Sequence, residues 1–168
     1  VAVQKLLIYR IAWGIYRAVQ QQIASAIQQA REFNEVIQDL KKVIDPSQGS
    51  VDKLSKSAFE LGVVFGKSAK EVAATFSTFA QQGLNVNQIL DRTVAVLLLS
   101  ATSAITTGDA VEALTAAFEA YPEYVDRATV AVDKWASVQA KAPLTTQDLA
   151  MAMKQIGITA REVGVSFD

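Results

Sequence analysis

The chain has 168 residues, 51% of them apolar, enough to close one helical core and carry an extended arm. A formal net charge of −1 without a long run of one sign excludes a free-standing nucleic-acid binder, which needs a concentrated basic footprint. Cysteine and histidine are both absent, which excludes disulfides, thiol chemistry, Ser-His-Asp and Cys-His triads and the commonest zinc ligand.

The chain opens at Val1 with neither a charged leader nor a small-residue cleavage site. A signal peptide is therefore not expected, and both ends read as cuts in a longer polypeptide. Residues 1–44 hold no proline and one glycine, Gly14. Apolar residues recur there on a heptad grid. One seam position is filled by Tyr9, Tyr16, Ile23, Ala30, Ile37 and Ile44, the other by Ala12, Val19, Ala26, Phe33 and Leu40. This is a coiled-coil pattern, and a helix of that length spans about 65 Å. A lone helix cannot bury such a stripe. Either it packs on the domain that follows or it associates with other copies. The seam is longer than a compact domain covers, which favours self-association through Ile23, Phe33, Ile37, Leu40 and Ile44. Val1–Val19 is nearly long enough to cross a bilayer, but Lys5, Arg10 and Arg17 interrupt it, so it reads as amphipathic.

Asp45-Pro46-Ser47-Gln48-Gly49-Ser50 predicts a turn. Residues 45–168 then read as a module of five or six short helices. Ser50 or Asp52 starts one that runs to about Phe65, where Gly66 stops it. Ser68-Ala-Lys-Glu71 reads as a capping box opening a helix to Gln82, and Gly83 supplies a left-handed end. Asn85 or Asn87 caps a helix through Val94 to about Ile105. Its apolar run Val94–Ala101 is too short to span a bilayer and reads as buried core. Thr106-Thr107-Gly108-Asp109 restarts the chain toward Tyr121. Pro122 at a first-turn position predicts a further helix to about Lys141. Ala142-Pro143-Leu144 is a turn, Thr145 or Thr146 caps the last helix, and that helix ends near Gly164. Apolar residues never alternate with period two over a useful length, so the fold class is all-α: a long N-terminal helix followed by a compact helical bundle.

Within the last helix Gly157, Ala160 and Gly164 share one face, where small residues let another helix approach closely. Trp13, Phe59, Phe65, Phe76, Phe79, Phe118 and Trp135 sit at helical spacing beside aliphatics and are core candidates. Glu119 with Glu123, and Glu123 with Asp126, are paired carboxylates on solvated helix faces. Asp109 and Glu112 suit the positive end of a helix. Gly62-Val-Val-Phe-Gly66-Lys67-Ser68 has one residue too few between its glycines for a phosphate-binding loop, and it follows a helix rather than a strand. No catalytic, cofactor or metal residues are expected.

The order of these elements resembles the core region of bacteriophage tail tape measure proteins. The likeness rests on several stretches taken together. They are Ala30-Arg-Glu-Phe33-Asn-Glu35, Leu61-Gly62 through Ser68-Ala-Lys-Glu71-Val-Ala, Phe79-Ala-Gln-Gln82-Gly83-Leu84 and Asp133-Lys-Trp135-Ala. Two more close the chain: Leu144-Thr-Thr-Gln-Asp148-Leu149-Ala with Met153-Lys-Gln-Ile156-Gly157, and Gly157-Ile-Thr-Ala160-Arg-Glu-Val-Gly164-Val165-Ser166. Together they cover roughly residues 30–168. The likeness implies a virion protein inside the tail tube or at the tail tip, assembled in the bacterial host cytoplasm. It would help set tail length, template tube assembly and take part in genome delivery. Implied partners are further copies, with a trimer expected along the tail axis, and tube and baseplate hub proteins. Transient contact with the host membrane is also implied, and the genome lies nearby without specific binding. The same module in a tail-derived bacteriocin or gene transfer particle, or a membrane-active helical protein lining a passage through the envelope, are the alternatives.

Overall fold

A computed structural model describes residues 2–44, 50–103, 105–139, 141 and 145–166, with side chains of the first helix described at Arg17 and from Gln20 on. The expected turns at 45–49 and 142–144, and the side chains of Tyr9, Ala12, Trp13, Tyr16 and Val19, lie outside the described residues. The fold is all-α, with no strand among the described residues. Its helices are α1 (Ala2–Val43), α2 (Ser50–Phe65), α3 (Ala69–Gln81), α4 (Val86–Thr102), α5 (Thr107–Ala120), α6 (Ala128–Gln139) and α7 (Thr146–Glu162).

Local chemistry sets most of the helix ends. Ser68, Asn85, Thr106 and Thr145 each adopt an extended backbone and accept an amide hydrogen bond at the start of the helix that follows. Asn85 with Gln88 and Thr145 with Asp148 are complete capping boxes. Ser68 and Glu71 form only half of one. Ser68 Oγ accepts the Glu71 amide, but the Glu71 carboxylate turns outward to Lys67 and to Thr107 on α5. At the other ends, Gly66, Gly83 and Gly164 have positive φ and lie just past α2, α3 and α7. The Val165 amide donates to the Ala160 carbonyl at 2.9 Å and the Gly164 amide to Arg161 at 2.9 Å, the paired bonds of a left-handed helix stop.

Two boundaries depart from the sequence expectation. The chain after Tyr121 forms a 3-10 turn over Pro122–Tyr124, and α6 begins only at Ala128. The Ala128 amide donates to Asp91 of α4 at 3.2 Å, so a residue 37 positions away helps fix where that helix starts. Helix α4 stops at Thr102, short of Ile105, because Ser103 is already extended and Thr106 is committed to capping α5.

Helices α3 and α4 form the centre. Helices α1 and α2 lie against α3, α6 lies against α4, α5 packs on α4, and α7 covers α5. Phe76, Phe79, Ile89, Leu97, Leu99 and Leu114 are completely buried. The run Val94–Ala101 supplies core residues Ala95, Val96, Leu97 and Leu99, as its composition suggested. Phe76, Phe79, Phe118 and Trp135 are core, and Phe65 packs against it, whereas Phe59 is 56% exposed. Arg92 is buried among these apolar side chains, its guanidinium 4.7 Å from the Phe118 ring and 6.0 Å from the Phe79 ring. Burial pushes its pKa below the usual arginine value, and the negative charges of Asp126 and Asp91 oppose that shift. The ring faces offer electrostatic compensation to a cation removed from water.

Candidate interaction surface

The heptad stripe of α1 divides into two parts with different surroundings. Leu40 is completely buried and Ile37 nearly so, both inside this chain's own core. Phe33 and Ile44 are half-buried and pack against that core. Ile23 is 54% exposed and Ile27 49% exposed. The five residues expected to form one seam between copies are therefore not equivalent. Leu40 presents no surface to a second copy, while Ile23 does.

Helix α2 runs back along α1, which brings the Phe33 and Phe59 rings to 4.7 Å between centroids. A groove of about 750 Å3 opens there. Ala26, Ala30 and Phe33 line it from α1, and Phe59, Gly62 and Val63 from α2. Val63 is 85% exposed and Val64, beside it, 72%. Gly62 keeps the α2 end tight, since a Cβ there would lie 2.8 Å from the Lys67 carbonyl oxygen. At the rim Lys70 bonds Glu32 at 2.8 Å and Lys67 bonds Glu71 at 3.1 Å. The Lys70 and Gln28 hydrogen bonds hold the Glu32 carboxyl below its usual pKa. The Thr107 hydroxyl, 2.5 Å from Glu71, does the same for that carboxyl, Lys67 adds to it, and partial burial opposes both.

The small-residue face of α7 also divides. Gly157 is buried against α5, and a Cβ placed on it would meet Ala120 Cβ at 3.4 Å. Ala160 is half-buried. Gly164 is exposed and has no neighbour within 4 Å of a Cβ position; its place is the left-handed stop of α7, not helix packing. Polar contacts fasten the pair. Lys154 bonds Glu112, the Arg161 guanidinium donates to the Ala120 carbonyl at 2.5 Å, and the Tyr121 hydroxyl donates to the Val165 carbonyl at 2.9 Å. The hydrogen bond to Glu112 raises the Lys154 pKa.

Among the described residues no group of acidic side chains is arranged to hold a metal ion. None of the described helices is long and apolar enough to cross a membrane. The built features are helix faces and a groove whose apolar lining is accompanied by Glu32, Lys67 and Lys70.

The family model for phage-related minor tail proteins matches residues 48–168. The chain belongs to that family. This minor tail protein is also similar to a tape measure protein of Pneumococcus phage Dp-1, with 27% identity over 145 residues. The match covers 86% of this chain but only 13% of that relative. Both likenesses agree with the resemblance read from residues 30–168. No solved structure matches the chain significantly.

Proposed function

We propose that this minor tail protein is part of a tail tape measure, a structural virion component lying inside the tail tube or at its tip. In this role chain length is converted into tube length by the rise of the helix. The observation that carries the reading is α1 itself. Its 42 residues correspond to about 63 Å at 1.5 Å per residue, and 24 of them lie N-terminal to Ala26, the first residue of the groove. A rod joined to a folded helical module can set a length with one part and hold partners with the other.

The proposal includes copies of the chain gathered about the tail axis as a trimer, contacts with tube and hub proteins, and exit ahead of the genome during delivery. Catalysis has no part in it. The test is made in a phage that carries the parent gene. Removing three heptads from residues 2–25 shortens the tail by about 30 Å, as measured on micrographs of purified particles. Tails of unchanged length with those residues deleted overturn the reading.

A further inference from the structure

Residues 18–30 read Ala-Val-Gln-Gln-Gln-Ile-Ala-Ser-Ala-Ile-Gln-Gln-Ala, thirteen consecutive positions without a charge. Every residue from Gln20 to Arg31 is exposed in the single chain. Water-facing helices ordinarily carry charged side chains on their outer face. Here the apolar stripe that the core covers at Ile37 and Leu40 continues uncovered through Ala30, Ile27, Ala26 and Ile23. Beside it lies the groove, with Ala26 and Ala30 in its lining and Val63 standing almost fully in solvent. Small residues there permit a helix to approach the backbone closely. The lysines at the rim are each paired within the chain, so the groove is electrically quiet.

We propose that the groove between α1 and α2 receives the uncharged stretch of α1, residues 18–30, from a second copy of this chain. Charge is what selects the occupant. A nucleic acid or an anionic lipid surface needs unpaired cations, and a charged protein partner needs the opposite sign. The groove offers neither. A neutral helix of Ala, Ile and Gln matches it, and the chain carries one. Glutamine side chains both donate and accept, so identical segments can pair their amides with one another. The two surfaces overlap at Ala26 and Ala30. Each copy therefore gives α1 and receives α1, either reciprocally in a twofold pair or head to tail in a ring that closes. The inference rests on the self-associating part of the reading above and narrows the seam to the part of α1 before Phe33.

The test uses the 168-residue chain. The wild type sediments as a closed oligomer. Val63→Asp, at a position too exposed to matter for folding, raises the concentration at which the oligomer forms at least about tenfold. Val163→Asp, just past the end of α7 and also exposed, leaves it unchanged. Because the chain has no cysteine, the double variant Ile27→Cys/Val63→Cys gives, on oxidation, covalent species up to the size of that oligomer, and each single variant does not. Wild-type chain that stays monomeric at all concentrations overturns the proposal. So does Val63→Asp that associates like wild type while circular dichroism shows it folded. Normal length scaling with failed association removes the groove contact alone; intact association with failed scaling removes the tape measure reading alone.

Discussion

Leu40→Ala separates burial within the chain from burial between copies. Leu40 has no exposed surface in the single chain and belongs to its core cluster. The substitution deletes three carbon atoms. At about 0.8 kcal/mol per buried methylene the transfer loss is about 2.4 kcal/mol. The cavity left in the core adds to it, within the range of about 2–5 kcal/mol found for such truncations. We expect about 3 kcal/mol, or a fall in Tm of roughly 6–12 °C for a domain of this size. Urea unfolding followed by circular dichroism, at two chain concentrations about tenfold apart, measures it. The difference between variant and wild type is the same at both. A loss under about 1 kcal/mol, or one that vanishes at the lower concentration, would refute the assignment of Leu40 to the chain's own core.

Two further outcomes follow from the packing. Gly157→Ala gains about 0.8–1 kcal/mol of helix propensity and places its Cβ in ordinary contact with Ala120, so it is neutral to stabilising. Gly157→Val drives further carbons into α5 and costs about 1–3 kcal/mol; equal unfolding midpoints for the two variants would mean that the helices do not touch there. In Thr107→Val, Glu71 loses the hydroxyl that holds its carboxyl low, and its pKa moves up toward the ordinary value in a carbon-detected NMR titration. Because the folded pKa is the depressed one, the stability this bond contributes is present above the unfolded value. It disappears as pH falls through the folded value. An unmoved Glu71 titration rules the bond out.

The elements that could be read from residue order are those whose partners lie within a few positions. Asn85 with Gln88, Thr145 with Asp148, and the glycine after each of α2, α3 and α7 act over one helical turn, so sequence spacing contains the whole interaction. The same holds for the all-α class, which follows from periodicity and from the scarcity of helix breakers. Glu71 stands at the limit of this logic. Its spacing from Ser68 predicts a reciprocal cap, yet Thr107, 36 residues away, takes the carboxylate. The restart of the chain at Ala128 shows the same thing, since its acceptor, Asp91, sits on another helix.

Residue order alone determined that α1 carries a continuous apolar stripe, because a heptad repeat is a property of one helix. It could not divide that stripe between the chain and its neighbours. Ile37 and Ile23 occupy the same seam position and are equally apolar, but the chain's own core covers the first and leaves the second in water. Phe59 is the mirror case: helical spacing marks it for the core, and its face of α2 is left more than half in solvent beside Phe33. Burial depends on which helices arrive from distant parts of the chain, and only the assembled fold contains that information.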